Sequence, residues 1–422
     1  RPVSRRAAVI LAWATGQSTS EIAALIGISA GRARYWIRSF RAHRMEIFSR
    51  ARDERPATGQ AGHPDENSAR EAVPVEKPGG QEPAEVADLA APIVAPAAEA
   101  APAEPGKAAN PLLTSEDPMS EAGRAIMYLH FQRMRDNEEG TRAGEDSEAL
   151  HDMRVATRRM RAAYELFVPY YDEKTVRRFR KGLRRTGRSL GAVRDLDVLL
   201  AKAKKFDEQH PAGPDKSLAP MIADWSQQRD DARDRMLEYL DGKAYRSFTE
   251  DFLTFLTTPG AGAVARPDGA PVPYQVRHVV PRLLLARYQD VRAYEGVLPA
   301  APLTTYHQLR ITCKKLRYAM EFFKDVLDDP VTKLIKQVTS LQDLLGDLHD
   351  SVVAEELAAK FLTGQIEQRP YQLQRLGLAG ITAYLTAQWT IQHDLLAAFP
   401  AQWAELDGYE FRRGLGLAVA VL

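Results

Sequence analysis

The chain has 422 residues, of which 45% are apolar, 27% are charged and one is a cysteine. This length predicts two or three domains with a sizeable core. No apolar run reaches the roughly 18 residues of a membrane-spanning helix, and Gly and polar residues interrupt the start too often for a signal peptide. We therefore expect a cytoplasmic protein with no membrane association. Cys313 has no partner for an internal disulfide and is expected to be a buried structural thiol.

The net charge of +1 hides a strong segregation of charge along the chain. Residues 1–52 carry ten Arg against two acids, a net charge of +8, whereas residues 53–118 carry thirteen acids against four bases, a net charge of −9. Between Arg154 and Arg194 there are thirteen Lys or Arg side chains and only three acids. This concentration of positive charge predicts a polyanionic partner.

The first segment, residues 5–48, is predicted to form three short helices. Thr19 or Ser20 is expected to cap the second helix, Gly27 to make the turn and Ser29 to cap the third. The segment resembles the helix-turn-helix of bacterial regulators and transposases, which implies that its third helix contacts DNA. The alternative is a small trihelical module that has lost DNA binding or that contacts proteins. The candidate DNA-binding residues are Arg32, Arg34, Tyr35 and Arg38.

Residues 53–118 are rich in Ala, Pro and Glu and contain no aromatic side chain. Such a composition cannot bury enough apolar surface to offset its ordering entropy, so a disordered acidic linker is predicted. Its acidic side chains are suited to compete weakly with other anions for the basic surfaces elsewhere in the chain. The alternative is that the segment is a solvated spacer without a regulatory role.

From Met119 onward the periodicity is helical and strand signals are absent, which predicts an all-α fold. A Gly/Pro/Ala-rich loop, residues 257–273, separates a first half, residues 119–257, from a second half, residues 274–400, and residues 401–422 are expected to be a tail. Short loops favour antiparallel helical bundles. The predicted helices cover residues 119–139, 148–171, 173–189, 191–209, 217–241, 243–257, 274–295, 303–327, 331–345, 347–362 and 371–397.

A segment of the first half recurs in the second half. HDMRVATRRMRAAYELF begins at His151, and HQLRITCKKLRYAMEFF begins 156 residues later, at His307. On a helix that turns about 100° per residue, the basic side chains of each copy form one stripe and the apolar side chains form the opposite face. LGAVRDLDVLL, from Leu190, similarly recurs as LGDLHDSVVAEE, from Leu345. The chain therefore contains a duplicated unit, whose copies can pack with approximate two-fold symmetry.

These paired motifs resemble those of the CHAD family, the conserved histidine α-helical domain, over residues 119 to about 400. The resemblance implies two pseudo-symmetric four-helix bundles whose basic helices line a central pore. It also implies binding of long-chain inorganic polyphosphate. Members of the family often accompany a triphosphatase domain with an E-x-E-x-K strand, which is missing here. The helix-turn-helix segment and the linker stand in its place, so the usual fusion context is not carried over.

The candidate polyphosphate-binding residues lie on the two repeated helices and on the helix after each. A polyanion without bases needs a row of cations, which Arg and Lys supply. After the first copy, basic residues recur at i, i+4, i+7 and i+11 from Arg177, but the corresponding positions of the second half hold Thr332, Lys333, Lys336, Thr339, Ser340 and Asp343. The first half is therefore expected to be the more basic wall. The full set is His151, Arg154, Arg158, Arg159, Arg161, Arg177, Arg178, Lys181, Arg184, Arg185, Arg188, His307, Arg310, Lys314, Lys315, Arg317, Lys333 and Lys336.

The sequence favours a binding protein over an enzyme, with no cofactor and no metal. The dipeptides His151-Asp152 and His349-Asp350 are similar to those of metal-dependent HD phosphohydrolases, but further ligands are not evident and the neighbouring cations repel a metal. A general nucleic-acid-binding protein is the main alternative, and a metal-dependent phosphohydrolase is a lesser one.

The protein is expected at polyphosphate granules or at the nucleoid. Because His151 and His307 titrate near neutral pH, binding is expected to be tighter at pH 6 than at pH 8.

Overall fold

The computed structural model describes residues 9, 18–43, 113–210, 217–265, 272–298, 301–368 and 378–422. The chain divides into two units, Arg1–Ile93 and Val94–Leu422. The described residues contain thirteen α-helices and no β-strand, which confirms the all-α class. None of the described helices is long and apolar enough to cross a membrane. The predicted linker lies outside the described residues up to residue 112, and so does the first predicted helix apart from Val9.

The first unit contains α1 (Thr19–Ile26) and α2 (Ala30–His43). The prediction of a Thr19 or Ser20 cap was wrong, because Ser18 caps α1. Its hydroxyl accepts a hydrogen bond from the Glu21 N–H at 3.3 Å, and its own N–H donates to the Glu21 carboxylate at 2.7 Å. This reciprocal arrangement satisfies two N–H groups that the helix leaves without partners.

Gly27 makes the turn between α1 and α2, as predicted, with a φ of 66° that favours glycine. Ser29 begins α2, since its hydroxyl accepts a hydrogen bond from the Arg32 N–H at 3.2 Å. Ile22, Ala33 and Trp36 are buried and pack the two helices together. The exposed face of α2 is left to polar and charged side chains.

The first half of the second unit begins with α3 (Met119–Asp136) and α4 (Glu138–Ala143), and α3 packs against α5 and α8. Asp146 caps α5 and Asp172 caps α6, each by accepting a hydrogen bond from a first-turn N–H at 2.8 Å. The remaining helices of this half are α5 (Ser147–Phe167), α6 (Glu173–Gln209), α7 (Ala219–Asp241) and α8 (Lys243–Thr257), with a 3₁₀ turn at Val168–Tyr170.

The second half has the same order of neighbours. It consists of α9 (Val276–Arg292), α10 (Leu303–Phe322), α11 (Pro330–Gln368), α12 (Leu378–Asp407) and α13 (Tyr409–Val419), with a 3₁₀ turn at Lys324–Val326. In the first half α5 lies between α3 and α6, and in the second half α10 lies between α9 and α11. Residues 401–422, expected to be a tail, are packed into the fold, because Phe411 and Leu415 are fully buried in the main core.

The two longest helices were each predicted as a pair of shorter helices, and the structure corrects this. α6 continues through Leu190-Gly191, and α11 continues through Leu345-Gly346. A glycine inside a helix costs about 1 kcal/mol relative to alanine. Each glycine lies beside an arginine of the neighbouring helix, at a distance that would leave room for a Cβ atom in ordinary van der Waals contact. A Cβ atom on Gly191 would lie 3.7 Å from Nε of Arg154, and one on Gly346 would lie 3.5 Å from Nε of Arg310.

Residues at matching positions of the two halves meet each other at the boundary between the halves. The rings of Phe167 and Phe323 lie 5.8 Å apart, edge to face. Val198 and Val353 form a small buried cluster of their own. Such contacts between equivalent positions are those that a two-fold arrangement produces. Pseudo-symmetry itself stays a prediction, but the boundary between the halves is a packed interface within one hydrophobic core.

Candidate anion-binding site

The basic stripes of the two repeated helices converge at the boundary between the halves. We define the central cation cluster as Arg154 and Arg158 on α5 and Arg310, Lys314 and Arg317 on α10. Lys314 lies within electrostatic range of the other four. Arg310 is only 1% exposed and Lys314 only 8%, and Arg154 and Arg317 are also buried. The repeated motif therefore places like charges together in a region with little access to water.

Carboxylates from the long helices neutralise part of this charge. Nη2 of Arg154 donates a hydrogen bond to Asp195 at 2.8 Å. Asp350, at the matching position of α11, instead accepts a hydrogen bond from Lys202 at 2.8 Å. Asp350 lies within electrostatic range of Arg310, but Nε and Nη1 of Arg310 have no hydrogen-bond partner among the described residues. A buried guanidinium without its hydrogen bonds is costly, so an anion brought to this position would be strongly favoured.

Lys314 is the most strongly perturbed cation of the cluster. Burial, and then repulsion by Arg310, Arg158, Arg154 and Arg317, holds the pKa of Lys314 well below its ordinary value. Lys314 forms no ion pair with any described residue. Its ammonium form is therefore destabilised until a negative charge enters the cluster.

Two histidines lie beside the cluster in the second half. The rings of His307, on α10, and His349, on α11, have centroids 4.2 Å apart. Burial and nearby cations lower the pKa of His307, and they lower the pKa of His349 to about 3. His349 was not among the predicted site residues, although its position in the repeated LG-x-x-x-D motif could have identified it. His151, on α5, is buried as well.

The basic row of α6 lies on a partly exposed face of that helix. Arg177, Lys181 and Arg188 are exposed, whereas Arg184 is half-buried. Arg188 lies within electrostatic range of Arg161, a half-buried residue of α5. Arg180, which the sequence analysis did not select, lies within range of Arg161 and Glu165 and belongs to the same row. Its spacing of four residues from Arg184 was the signal that could have found it.

Arg178 and Arg185 lie on the other side of α6. The guanidinium of Arg178 lies 4.8 Å from the ring centroid of Phe179, and that of Arg185 lies 4.8 Å from the ring of Tyr239 on α7. The structure therefore does not bring these two predicted ligands to the central cation cluster. Lys333 and Lys336 are exposed on α11, and neither forms an ion pair with a described residue.

Arg159 and Lys315 occupy matching positions, and each lies near a carboxylate of the opposite half. Nη1 of Arg159 lies 3.1 Å from Oε2 of Glu321, and its guanidinium lies 5.8 Å from the ring centroid of Tyr318. Lys315 in turn lies within electrostatic range of Glu165. These reciprocal interactions indicate that Arg159 and Lys315 hold the two halves together. Glu165 also lies within electrostatic range of Arg161, and Glu321 lies 3.6 Å from Nη1 of Arg317, which suits the two carboxylates to orient these arginines.

The candidate DNA-binding residues of the first unit share the exposed face of α2. Arg32, Arg34, Tyr35 and Arg38 are all exposed, with 64% of Tyr35 accessible. The guanidinium of Arg32 lies 5.3 Å from the ring of Trp36. Three cations and one aromatic side chain on one helix face can contact phosphates and base edges.

Side chains that could bind a metal ion are not grouped together in the part of the chain that the structure describes. These residues contain no group of three or more His, Cys, Asp or Glu side chains placed to hold a metal ion. Cys313 is fully buried, as predicted, and burial raises the pKa of its thiol to about 12. A thiol with such a pKa is a poor nucleophile and a poor metal ligand.

Comparisons with known proteins agree with the duplicated motif and with the first segment. The family model of the CHAD domain matches residues 125–359, and that of a homeodomain-like domain matches residues 1–46. Among curated proteins, none matches the sequence.

Two solved structures share the fold. The CHAD domain from the plant Ricinus communis has a TM-score of 0.51 and 23% sequence identity, over 74% of this chain and 97% of that one. PptA from Streptomyces chartreusis has a TM-score of 0.50 and 16% identity, over 68% of this chain and 99% of that one. At these identities the likeness shows the fold alone. The CHAD model, however, spans more than half of the 422 residues, and the chain therefore belongs to the CHAD domain family.

Proposed function

We propose that residues 119–422 bind long-chain inorganic polyphosphate at the central cation cluster and along the basic row of α6, without hydrolysing it. This proposal rests mainly on the burial of Arg310 and on its incomplete hydrogen bonding. Its guanidinium is 1% exposed, and two of its donor nitrogens lack a partner among the described residues. A cluster of buried cations that the protein neutralises only in part is energetically costly, and an entering polyanion offsets that cost.

The burial of the cluster favours polyphosphate over nucleic acid. Polyphosphate is a bare chain of phosphoryl groups, whereas RNA and DNA place a sugar and a base beside every phosphate. Arg154, Arg310 and Arg317 are each no more than 5% exposed, so neighbouring side chains must move to admit any anion, and a narrow chain requires a smaller movement than a nucleotide does. Aromatic side chains near the cluster serve packing, as Tyr318 does between Arg159 and Arg317, and no exposed stacking platform is found there among the described residues.

Calorimetric titration with polyphosphate of defined length tests the proposal. The triple variant Arg154→Ala, Arg158→Ala, Arg310→Ala should lose at least about 100-fold in affinity, since each charge-assisted contact contributes about 1.5 to 3 kcal/mol. A matched control, Arg178→Ala, Arg185→Ala, Lys333→Ala, removes the same charge from positions away from the cluster. Equal losses of affinity in the two triple variants would show that the protein attracts polyphosphate through its overall positive charge and not through the cluster.

Competition separates polyphosphate binding from general nucleic-acid binding. Long polyphosphate should displace single-stranded RNA and DNA from the protein at a much lower phosphate concentration than is needed for the reverse displacement. The opposite order would favour the nucleic-acid alternative. The comparison must be made at one fixed salt concentration, because both modes weaken as salt rises.

We propose binding without catalysis because no nucleophile with a general base is evident among the described side chains around the cluster. Burial, and then the neighbouring cations, lower the pKa values of His307 and His349, which makes both weak bases, and Cys313 is buried. Incubation of the protein with polyphosphate and Mg²⁺ or Mn²⁺ should release no phosphate. Steady release of phosphate with turnover would overturn this part of the proposal.

A second function, DNA binding by the first unit, is supported by the exposed cations of α2 and by the homeodomain-like match. The full chain should shift duplex DNA at low salt in a gel, and an Arg34→Ala, Tyr35→Ala, Arg38→Ala variant should not. If both shift alike, the first unit does not bind DNA through α2. A protein with both activities would be found where polyphosphate meets the nucleoid.

A further inference from the structure

We propose that the hydroxyl of Tyr318, on α10, is a further ligand of the bound polyphosphate. It would act as an uncharged hydrogen-bond donor among the cations of the central cation cluster. This inference rests on the proposed function and adds a residue that the candidate set of basic side chains and histidines does not contain. The path of the polymer between the two halves stays the one that the family resemblance implies.

Tyr318 continues the basic stripe of α10. It lies four residues after Lys314 and eight after Arg310, so the three side chains follow one another along one face of the helix. Tyr318 also lies within electrostatic range of Arg310. The first half has no equivalent donor, because the matching position, 156 residues earlier, holds Ala162. The hydroxyl is therefore a feature of the second half alone.

The hydroxyl of Tyr318 is buried without a hydrogen bond. The residue is 3% exposed, and its oxygen has no hydrogen-bond partner among the described residues. Such a state is unfavourable, and most buried hydroxyls have a partner. Tyr164 and Tyr288, which are also buried, donate to backbone carbonyls at 3.1 and 3.0 Å. Tyr384 shares the state of Tyr318, but its ring packs against Phe206, near the C-terminal end of α6.

The neighbours of the Tyr318 ring hold the hydroxyl in one position. The guanidinium of Arg159, from the opposite half, lies 5.8 Å from the ring centroid, and that of Arg317 lies 5.1 Å from it. The ring also stacks on Phe322, with centroids 6.0 Å apart. Because the side chain is already ordered, a hydrogen bond from it to a ligand costs little further conformational entropy.

A phenol hydroxyl is well suited to a phosphate oxygen in this position. Hydrogen bonds from O–H groups to charged oxygens are short, and they are stronger than those between neutral groups. The cations of the cluster repel one another, and this repulsion contributes to the lowered pKa of Lys314. A neutral donor adds a contact to phosphate without adding to that repulsion. Tyr318 should therefore strengthen binding without increasing its dependence on salt.

The Tyr318→Phe variant tests the proposal, because it removes the hydroxyl and keeps the ring beside both guanidinium groups. Calorimetric titration of the full chain with polyphosphate of one length should show binding about tenfold weaker than that of the unmodified protein, a loss of about 1.4 kcal/mol. The melting temperature without ligand should be equal or higher, because no hydrogen bond of the free protein is lost.

Each other outcome of this comparison has a definite meaning. Equal affinities of the unmodified protein and Tyr318→Phe would overturn the role of the hydroxyl and leave polyphosphate binding intact. A lower melting temperature of the variant would show that the hydroxyl has a partner in the free protein, which would also overturn the proposal. Failure of the unmodified protein to bind polyphosphate would overturn the proposed function and this inference together.

Tyr164→Phe is the matched control, since its hydroxyl already donates to the carbonyl of Val176. This variant should have a lower melting temperature and an affinity within about twofold of the unmodified protein. An equal loss of affinity in Tyr164→Phe and Tyr318→Phe would overturn the proposal, because any buried hydroxyl would then have the same effect.

Salt dependence distinguishes a neutral donor from a displaced cation. The slope of log K against log salt should be the same for Tyr318→Phe as for the unmodified protein, whereas Arg310→Gln should make it shallower by about 0.7. A shallower slope for Tyr318→Phe would show that the substitution acts by moving a neighbouring arginine, and would overturn direct contact.

Ultraviolet difference absorption detects the hydrogen bond itself. The absorption of a phenol shifts to longer wavelength when its hydroxyl donates to an oxyanion. Saturation of the full chain with polyphosphate should produce such a shift, and the same titration of Tyr318→Phe should lack it. Identical difference spectra of the two proteins would overturn the contact between Tyr318 and phosphate.

Discussion

The guanidinium of Arg159 lies 3.1 Å from the carboxylate of Glu321, so an ion pair joins α5 of the first half to α10 of the second half. Both side chains are partly buried, with 22% and 16% of their surface exposed. The pair is less screened than a surface ion pair, and loss of Arg159 leaves Glu321 with Arg317 of its own helix, at 3.6 Å, as its remaining partner. Arg159 therefore acts in stability more than in ligand binding.

Arg159→Gln should lower the free energy of unfolding by about 0.5 to 1.5 kcal/mol, because Glu321 loses its ion pair across the boundary and keeps only the one with Arg317. Chemical denaturation measures this change, and the Arg159→Gln, Glu321→Gln double variant should recover part of it. Polyphosphate affinity should change less than about threefold, or about 0.7 kcal/mol. A large loss of affinity with unchanged stability would instead make Arg159 a direct ligand.

Lys314→Met should make the free protein more stable and the complex weaker. Methionine fills a similar space without a charge that must be buried among four arginines. The melting temperature without ligand should rise, while polyphosphate affinity should fall at least about tenfold. Lys333→Met, on the exposed part of α11, is the control and should change neither quantity appreciably. A lower melting temperature for Lys314→Met would show that the ammonium stabilises the free fold.

Polyphosphate binding should be accompanied by proton uptake. In the free protein, burial and cations lower the pKa values of Lys314, His307 and His349. A bound polyanion raises these pKa values, so the complex holds more protons than its free components and affinity increases as pH falls. Calorimetry at pH 7 in buffers of different ionisation enthalpy counts the protons taken up. Proton release on binding, or equal affinity at pH 6 and pH 8, would contradict this expectation.

Stability of the free protein should depend on His349 at acidic pH. The folded pKa of about 3 lies below the ordinary value of 6.5, so the unfolded state binds the proton more readily between these pH values. Stability is therefore lost as pH falls from about 6.5 towards 3, by up to about 1.4 kcal/mol per pH unit for this one group. A His349→Gln variant should show a shallower loss in urea denaturation across that range. Identical pH profiles would exclude His349 as the cause.

Cations on the two sides of α6 should contribute differently to the salt dependence of polyphosphate affinity. Arg184→Gln, Arg188→Gln removes two cations of the row, and the slope of log K against log salt should become shallower by about 1.4, at about 0.7 per phosphate contact of a single strand. Arg178→Gln, Arg185→Gln removes the same charge from the side that packs against aromatic rings, and the slope should stay nearly unchanged. Equal slopes for the two double variants would mean that α6 contributes only its overall charge.

The helical class and the basic stripes could be predicted because both depend on periodicity within one segment. His151 and His307 begin copies whose apolar faces are the ones that the structure buries. The groups that each basic side chain of a stripe contacts could not be predicted in the same way. Arg159 and Arg158 are neighbours in the sequence, but one forms an ion pair across the boundary between the halves and the other belongs to the central cation cluster.

The continuity of α6 and α11 was also beyond sequence reasoning. Glycine is usually a sign of a helix end, and the predicted helices break at or beside Gly191 and Gly346. In the structure both glycines lie inside a continuous helix, beside Arg154 and Arg310 of the neighbouring helices. Arg180 was missed for a similar reason, since its membership of the basic row depends on Arg161 and Glu165 from α5.

The shared core that contains Phe167 and Phe323 has a consequence for how the protein can be divided. Each half expressed alone would expose an apolar surface and would hold only part of the cation cluster. The duplicated units are therefore not two binding modules in series, and cleavage between Thr258 and Val276 would yield fragments that must reassemble before they bind. Polyphosphate would then promote the reassembly of the fragments, because the complete cluster exists only when both are together.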